Sequence, residues 1–340
     1  MLDSKHFTGG GGAGAEIADQ VRDDRVLRLF ADGHTVVLQG LHRLWPPIID
    51  FAGRLAAELG HPCQANAYIT PPSARGFAAH YDVHDVFVLQ LAGAKRWNVH
   101  RPVHPAPLRS QPWNQHAAAV AQAAREPPLI DALLEAGDAL YLPRGYLHSG
   151  TALGDTSAHL TIGVHVVTRF ALVDALCALV AGDERLRESL PMGIDTADPE
   201  QLAPHLGTVV DVLTEALRRV PAQDVARTVR QRAWTGTRPE PLRPLANAGF
   251  ARSLRGDARV RLRAGLAHRL TRTDCDVTGV TLELADRTIT LPASTAAALE
   301  LLLFGGSVEV AELPGLADDD RLVLVRRLLR EGVLVPAAAQ

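Results

Sequence analysis

Three side chains capable of holding a metal ion stand out in this sequence. Two open the stretch HYDVHDVFVLQLAGAKRW, His80 to Trp97, as His80 and Asp82; the third, His148, lies in GDALYLPRGYLHSG. In an extended chain successive side chains alternate faces, so His80 and Asp82 project from one side of a strand-like HYDVH. The turn-rich PRG lets the later segment re-enter β structure and bring His148 to them. Two imidazoles and one carboxylate form the facial set that binds non-haem Fe(II) and leaves adjacent coordination positions open. The ligands bind as neutral imidazoles and an ionised carboxylate, so metal affinity falls in acid. The competing reading of an isolated His-x-Asp is a hydrogen-bonded surface or structural pair. Lys95, fifteen residues after His80, follows the LAG turn and begins KRWNVH, on the expected partner strand of a hairpin. There a cation can clamp the far carboxylate of a bidentate α-keto acid; alone, it reads equally as a solvated lysine.

The elements needed to position these groups are short and β-rich. NAYIT, VFVLQLAG, KRWNVH, DALYLPRG and SAHLTIGVHVVT lie between Ala65 and about Arg169, separated by Gly, Pro and Asp. No regular succession of helices falls between them, so a parallel βαβ sheet is set aside for an antiparallel two-sheet barrel or jelly roll. TVVLQG (Thr35–Gly40) reads as a strand and PIIDFAGRLAAELG (Pro47–Gly60) as a helix with a glycine stop. Trp113 to Ala124 reads as an alanine-rich excursion on the barrel rim.

Beyond the barrel, FALVDALCALVAG and VVDVLTEALRRV carry helical apolar spacing, and TGTRPEPLRPLANAG (Thr235–Gly249) reads as a linker. VTLELADRTITLP is a hairpin around Ala285–Asp286, STAAALELLLFGG and DDDRLVLVRRLLREG are helices, and VLVP is a closing strand. The mixture suggests a winged-helix-like terminal domain. The expected division is an N-terminal flexible arm over 1–21, a barrel over 22–169, a helical and dimer-forming region over 170–240 and a winged-helix-like domain over 241–340.

Composition narrows the class. The chain has 340 residues, 47% apolar and 21% charged, with a formal net charge of -3. That is a globular protein without a whole-chain basic field for nucleic acid. The three cysteines, Cys63, Cys177 and Cys275, make neither a disulfide framework nor a zinc-knuckle spacing, which fits a reducing compartment. No apolar signal core opens the chain and no run is long enough to cross a bilayer, so a cytoplasmic, non-membrane location is expected. The Gly9–Gly12 run lacks the Gly-Lys-Ser/Thr ending of a phosphate loop and reads as part of the arm.

From about Ala65 to Thr168 the sequence resembles the ribosomal-oxygenase branch of the JmjC/cupin-fold 2-oxoglutarate oxygenases. The resemblance rests on NAYITPPSARGFAAHYDVHDVFVLQLAGAKRWNVH, GDALYLPRGYLHSG and SAHLTIGVHV. It implies a double-stranded β-helix barrel, Fe(II) held by His80, Asp82 and His148, and 2-oxoglutarate and O2 as co-substrates. It assigns the co-substrate's C5 carboxylate to Lys95, with Tyr68 hydrogen-bonding nearby and Asn66 as a polar residue of the active-site wall. It implies a protein side chain as the substrate, in a ribosomal or other protein, and a homodimer formed through the helical region. The alternatives are an oxygenase acting on a peptide or small metabolite, a metal enzyme that uses no keto acid, and a non-enzymatic cupin-like metal-binding interaction protein.

One position departs from the family pattern. Members often carry a hydroxyl residue in the strand TIGVH where this chain has Gly163; Thr161, two residues away on the same strand face, is the candidate to compensate. His84 is read as a supporting or structural residue, because a fourth ligand would fill a site that the co-substrate or oxygen needs. Arg144 is a candidate for the rim, His159 and His165 for inward or structural places, and Trp97 for the barrel core. ARSLRGDARVRLRAGLAHRLTR and the arginines of the last helix read as a solvated or protein-contact face; nucleic-acid binding is not expected.

Overall fold

The computed structural model describes residues 2–14, 17–74, 76–273 and 279–337. Cys275, and the Arg75 within the motif quoted above, lie outside the described residues. The chain divides into two compact units, residues 1–166 with 239–241, and residues 167–238 with 242–340.

In the first unit, β1 (Thr8–Gly9) and β2 (Gln20–Val21) form a two-residue antiparallel ladder. Then come α1 (Asp23–Ala31), β3 (Val36–Leu38), α2 (Leu41–Leu44) and α3 (Pro46–Leu59). α3 begins on proline, whose fixed φ suits a first helical turn, and stops at Gly60 in the left-handed region (φ 69°). It buries Ile48, Ile49 and Ala52. The remaining elements are β4 (Cys63–Thr70), β5 (Asp85–His100), α4 (Ala117–Ala123), β6 (Ile130–Leu134), β7 (Ala139–Leu142) and β8 (Leu147–Val164).

These strands form one antiparallel sheet in the order β3-β4-β8-β5-β6, with β7 paired to β5. The hydrogen-bonded path among the described residues does not close on itself, so the barrel expected from the sequence is observed as a cupin-like antiparallel sheet. Its backbone is the pairing of β5 with β8 from Asp85↔Val164 to His100↔Leu147. Val86, Val88 and Val99 are at most 2% exposed, and burying each contributes roughly 1.5–3 kcal/mol.

Two expectations are corrected here. The LAG segment is not a hairpin turn: β5 runs straight through it as one strand, with register irregularities between Gln90 and Ala92 and between Ala92 and Ala94. Glycine in a strand sequence signals a turn and a bulge equally, and here the bulge is what forms. Its consequence is a change of phase. Before it the buried positions are Val86, Val88 and Gln90; after it they are Lys95, Trp97 and Val99. An extra residue shifts the two-residue side-chain period by one, so both sets face the same side.

The second correction concerns HYDVH, which is not the start of a regular strand. His80 makes only an isolated bridge, its N–H donating to the His148 carbonyl oxygen (3.2 Å) and its carbonyl oxygen accepting from the His148 N–H (2.8 Å), and β5 begins at Asp85. The alternation of faces nevertheless holds over the ligands. Tyr81, 1% exposed, packs with Val120 and Leu147, while His80 and Asp82 line the cavity described below.

The second unit contains α5 (Arg169–Val180), α6 (Pro199–Arg219), α7 (Ala222–Thr235) and α8 (Pro244–Arg252). α8 takes up the end of the segment expected as a linker. β9 (Arg259–Leu262), β10 (His268–Thr273), β11 (Gly279–Leu284), β12 (Thr288–Pro292), α9 (Ala296–Phe304), β13 (Ser307–Glu309), α10 (Asp318–Arg330) and β14 (Leu334–Pro336) follow. They make two three-stranded sheets, β10-β11-β12 and β13-β9-β14, around a core in which Leu282, Leu299, Leu302, Leu328 and Leu334 are fully buried. The hairpin turns at residues 285–287, as the sequence indicates. Among the described residues no helix is long and apolar enough to cross a membrane.

The bulge depends on Gly93. Its φ is +60°, and a Cβ there would stand 2.3 Å from the Thr156 carbonyl oxygen. Gly93→Ala is expected to destabilise the protein by about 1–3 kcal/mol or more, read as a lower urea midpoint, whereas Gly207→Ala, in open space within α6, is neutral or stabilising. Parent-like stability of Gly93→Ala would contradict the role given to the bulge.

Candidate metal centre

His80 and His148 come from the bridged pair of segments, and Asp82 from the extended run between them and β5. One ligand atom from each lies within 4.8 Å of the others. His80 Nδ1 lies 2.8 Å from the Ala78 carbonyl oxygen and His148 Nδ1 lies 3.1 Å from that of Tyr146. A carbonyl only accepts, so both Nδ1 atoms carry the proton and both Nε2 lone pairs are free. His148 Nε2 stands 3.6 Å from Asp82 Oδ2. Burial, and then the neighbouring His80, push the His148 imidazole down to about 4, so it is neutral at ordinary pH. Two imidazole lone pairs and a carboxylate converging on one point fit a single divalent ion of the kind that takes a 2-His-1-carboxylate set.

The three residues line a cavity of about 320 Å³ together with Lys95, Tyr68, His159, Thr161 and Trp97. Lys95 is 3% exposed, and burial lowers its ammonium to about 8. Among the described residues no carboxylate pairs with it. Its Nζ donates to Thr70 Oγ1 (3.2 Å), which lies 3.1 Å from Thr35 Oγ1, and stands 5.6 Å from the centre of the Trp97 ring. A buried cation held only by a hydroxyl and a π face is costly unless an anion completes its surroundings.

Tyr68 lies opposite His159 across β4 and β8, and their rings stack at 5.0 Å, 7° from parallel. Burial and then Asp82 raise the Tyr68 phenol, while burial and then Lys95 hold His159 down at about 3. The wall beside Lys95 is therefore neutral. Thr161 lines the cavity from the same row of the sheet as Val88 and Asn66. Asn66 itself is outside the lining, and its Oδ1 accepts from the Gly40 N–H at 3.0 Å.

Gly163 acquires a steric reason. A Cβ at 163 would stand 2.6 Å from His84 Cδ2 and 2.8 Å from His84 Nε2. The His84 ring occupies that space, stacked on His165 at 5.0 Å, with Gln64 Nε2 3.4 Å from its Nε2. His84 is accordingly outside the three-residue cluster. Arg144 is also outside the lining; its backbone N–H donates to Asp85 Oδ1. Trp97 is 6% exposed and belongs both to the core and to the cavity wall. Sequence reasoning missed Thr35, Thr70, Phe77 and the cavity role of Trp113. Threonine in a strand reads only as a β-former, and an aromatic outside a strand pattern carries no signal of its own.

The family model of the JmjC domain matches residues 49–172. Residues 49–172 are thus similar to the JmjC domain family. The chain is 37% identical over 149 residues to ribosomal oxygenase 1 of Gallus gallus, covering 42% of this chain and 24% of that protein. It is 36% identical over 137 residues to the bifunctional lysine-specific demethylase and histidyl-hydroxylase NO66 of Drosophila persimilis, covering 38% and 19%. The chain thus matches about a quarter or less of the length of these curated relatives. Over 89% of the chain the fold is similar to the Escherichia coli ribosomal oxygenase YcfD, covering 78% of that chain at 19% identity with a TM-score of 0.52. YcfD is also known in complex with cobalt and succinic acid, at 17% identity and a TM-score of 0.52 over the same shares.

The neutral buried imidazoles have a consequence for stability. His148, His159 and His165 are held near 4, 3 and 4 in the folded first unit, against an ordinary value of 6.5. The unfolded chain binds more protons below 6.5, so stability present above that pH is lost as pH falls toward 4. In metal-free protein the urea midpoint is expected to drop between pH 6.5 and 5, with proton uptake on unfolding approaching three. A flat midpoint over that range would contradict the burial of these rings as neutral groups.

Proposed function

We propose that this chain is an Fe(II)- and 2-oxoglutarate-dependent oxygenase that hydroxylates a side chain of a protein, of the ribosomal class named for its relatives. The observation that carries the reading is the shared cavity: a 2-His-1-carboxylate cluster and a buried lysine with no acidic partner among the described residues line the same space. His80, Asp82 and His148 would hold Fe(II), their Nε2 lone pairs already fixed by the Nδ1–H bonds to Ala78 and Tyr146. Lys95 would take the far carboxylate of 2-oxoglutarate, with Thr70 holding its ammonium and Tyr68 and Thr161 contributing the adjoining wall. With iron and 2-oxoglutarate bound, O2 supplies the oxidising chemistry that decarboxylates the keto acid and hydroxylates an unactivated C–H bond. The chain's own residues supply position, charge and a shielded pocket.

The finer architecture follows the same reading. The antiparallel sheet is the jelly-roll core of a JmjC barrel, α5 to α7 are a dimer-forming region, and the last hundred residues are a winged-helix-like domain. Phe170, Leu172 and Val173 of α5 are nearly half exposed, which supports a partner copy there. Arg259, Arg272 and Arg287 face Glu309, Glu300 and Glu331, which supports protein contact over nucleic acid. A cytoplasmic location accords with this reading.

The Lys95 role is tested by separating co-substrate from metal. Lys95→Ala is expected to weaken 2-oxoglutarate binding by tens- to hundreds-fold while leaving Fe(II) affinity nearly unchanged. Because burial lowers Lys95 to about 8, the unliganded ammonium loses its proton above that pH. Affinity for 2-oxoglutarate is expected to hold below about pH 7 and to fall as pH rises beyond 8, a dependence that Lys95→Arg flattens. Equal loss of iron and 2-oxoglutarate in Lys95→Ala would count against the assignment.

A further inference from the structure

Resting on the metal reading of the His80, Asp82 and His148 cluster, we infer that His84 is a positioning residue for Asp82. Its ring, seated in a notch that Gly163 leaves open, fixes the run that carries the carboxylate. Without it the cluster is unevenly supported. His80 Nδ1 and His148 Nδ1 each meet a backbone carbonyl oxygen, of Ala78 and of Tyr146, so hydrogen bonds of their own aim both imidazoles. Asp82 has no such aid. Among the described residues no hydrogen bond reaches its carboxylate, which stands 3.6 Å from His148 Nε2. Metal-ligating carboxylates ordinarily take a supporting hydrogen bond. Here the direction of the carboxylate comes from the backbone that carries it.

That backbone is pinned on both faces. On the outer face Tyr81 packs with Val120 and Leu147, and Val83 lies against the same cluster. The Tyr81 hydroxyl donates to the Gln111 carbonyl oxygen at 2.9 Å. From the turn before β8, the Gly145 N–H donates to the Asp82 carbonyl oxygen at 3.0 Å. With Tyr81 and Val83 on one face, the two-residue alternation of extended chain puts Asp82 and His84 on the other.

There the His84 ring lies over β8 where Gly163 pairs with Gln64 of β4 and with Val86 of β5. A Cβ at 163 would stand 2.6 Å from Cδ2 of that ring, so the ring and a side chain cannot share the place. His165 holds the ring from another side, stacked at 5.0 Å and 29° from parallel, and Gln64 Nε2 lies 3.4 Å from its Nε2. With Tyr81 fixed one residue before the carboxylate and His84 two residues after it, the backbone of Asp82 has little freedom left. His84 acts through that run and not as a fourth ligand, since its Nε2 faces Gln64 and Gly163 and it lies outside the ligand cluster.

The test titrates Co(II) into metal-free protein without 2-oxoglutarate and follows the visible ligand-field bands. His84→Ala is expected to weaken Co(II) binding about tenfold and to shift the bands, as the carboxylate leaves the ion and water replaces it. Gly163→Ser, which puts a side chain where the ring sits, is expected to do the same. Both variants remove one contact, so the double variant is expected to lose no more than either alone, rather than the product of the two losses. His84→Phe keeps a flat ring in the notch, and its Co(II) affinity and bands are expected to match the parent. A packing role alone predicts lower urea midpoints in metal-free His84→Ala and Gly163→Ser with Co(II) affinity and bands unchanged, and that result would overturn the inference. So would multiplied losses in the double variant, or a His84→Phe protein as weak as His84→Ala, which would make a ring nitrogen the active group. A parent that binds no Co(II), or Asp82→Ala protein that binds it like the parent, would overturn the metal reading itself and this inference with it.

Discussion

The site depends on a change of phase in the two longest strands. A β-strand presents alternate residues to one face, so Val86 and Val88 cannot share a face with Lys95 and Trp97 in a regular strand. The irregularities between Gln90 and Ala94 make them share it. The facing strand has its own change, from His148 and Gly150 on one side of the exposed loop to His159 and Thr161 on the other, all of which line the cavity. Candidate metal ligand, buried cation and neutral wall come together because both strands slip at the same place, over Gly93. Edge-to-edge pairing without the bulge would put the lysine in solvent, where a cation costs little and holds nothing.

Around that geometry the electrostatics divide into two regions. The imidazoles are buried and neutral, His148 with its Nε2 free for a cation and His159 stacked on Tyr68. Lys95 is the opposite case, a positive charge taken out of water and given a threonine hydroxyl instead of a carboxylate. Each half is unfavourable by itself: three groups of metal-ligating type lie side by side, and among the described residues no carboxylate pairs with the cation. A divalent metal and a dianionic keto acid relieve both at once, which is why the two features together say more than either alone.

Much of this was legible in the sequence. His80, Asp82 and His148 were legible as a candidate set from residue type and strand-like spacing, with a structural pair as the competing reading, and the resemblance to the JmjC/cupin oxygenases is what selected them; the helices of the terminal region followed from apolar spacing and glycine stops. Gly93 was not legible as a bulge, since a glycine after a strand is equally a turn, and the choice is made by pairing to a segment more than fifty residues away. Nor could HYDVH be separated from the strand that follows, because extended chain and ladder share the same alternation. Gly163 read as a missing hydroxyl, whereas the structure shows space taken by the ring of His84, a contact between strand and loop that spacing does not encode. Thr35 and Thr70 were invisible for a similar reason: their hydroxyls matter through a lysine brought in by the bulge.

The most direct measurement is an anaerobic titration of Fe(II)-loaded protein with 2-oxoglutarate, following the visible metal-to-ligand charge-transfer band. A saturable band in the parent that is absent in His148→Ala is the expected result, and it would establish the cluster and the bidentate keto acid together. No band despite bound iron would contradict the oxygenase reading and leave a metal-bearing interaction protein as the better description.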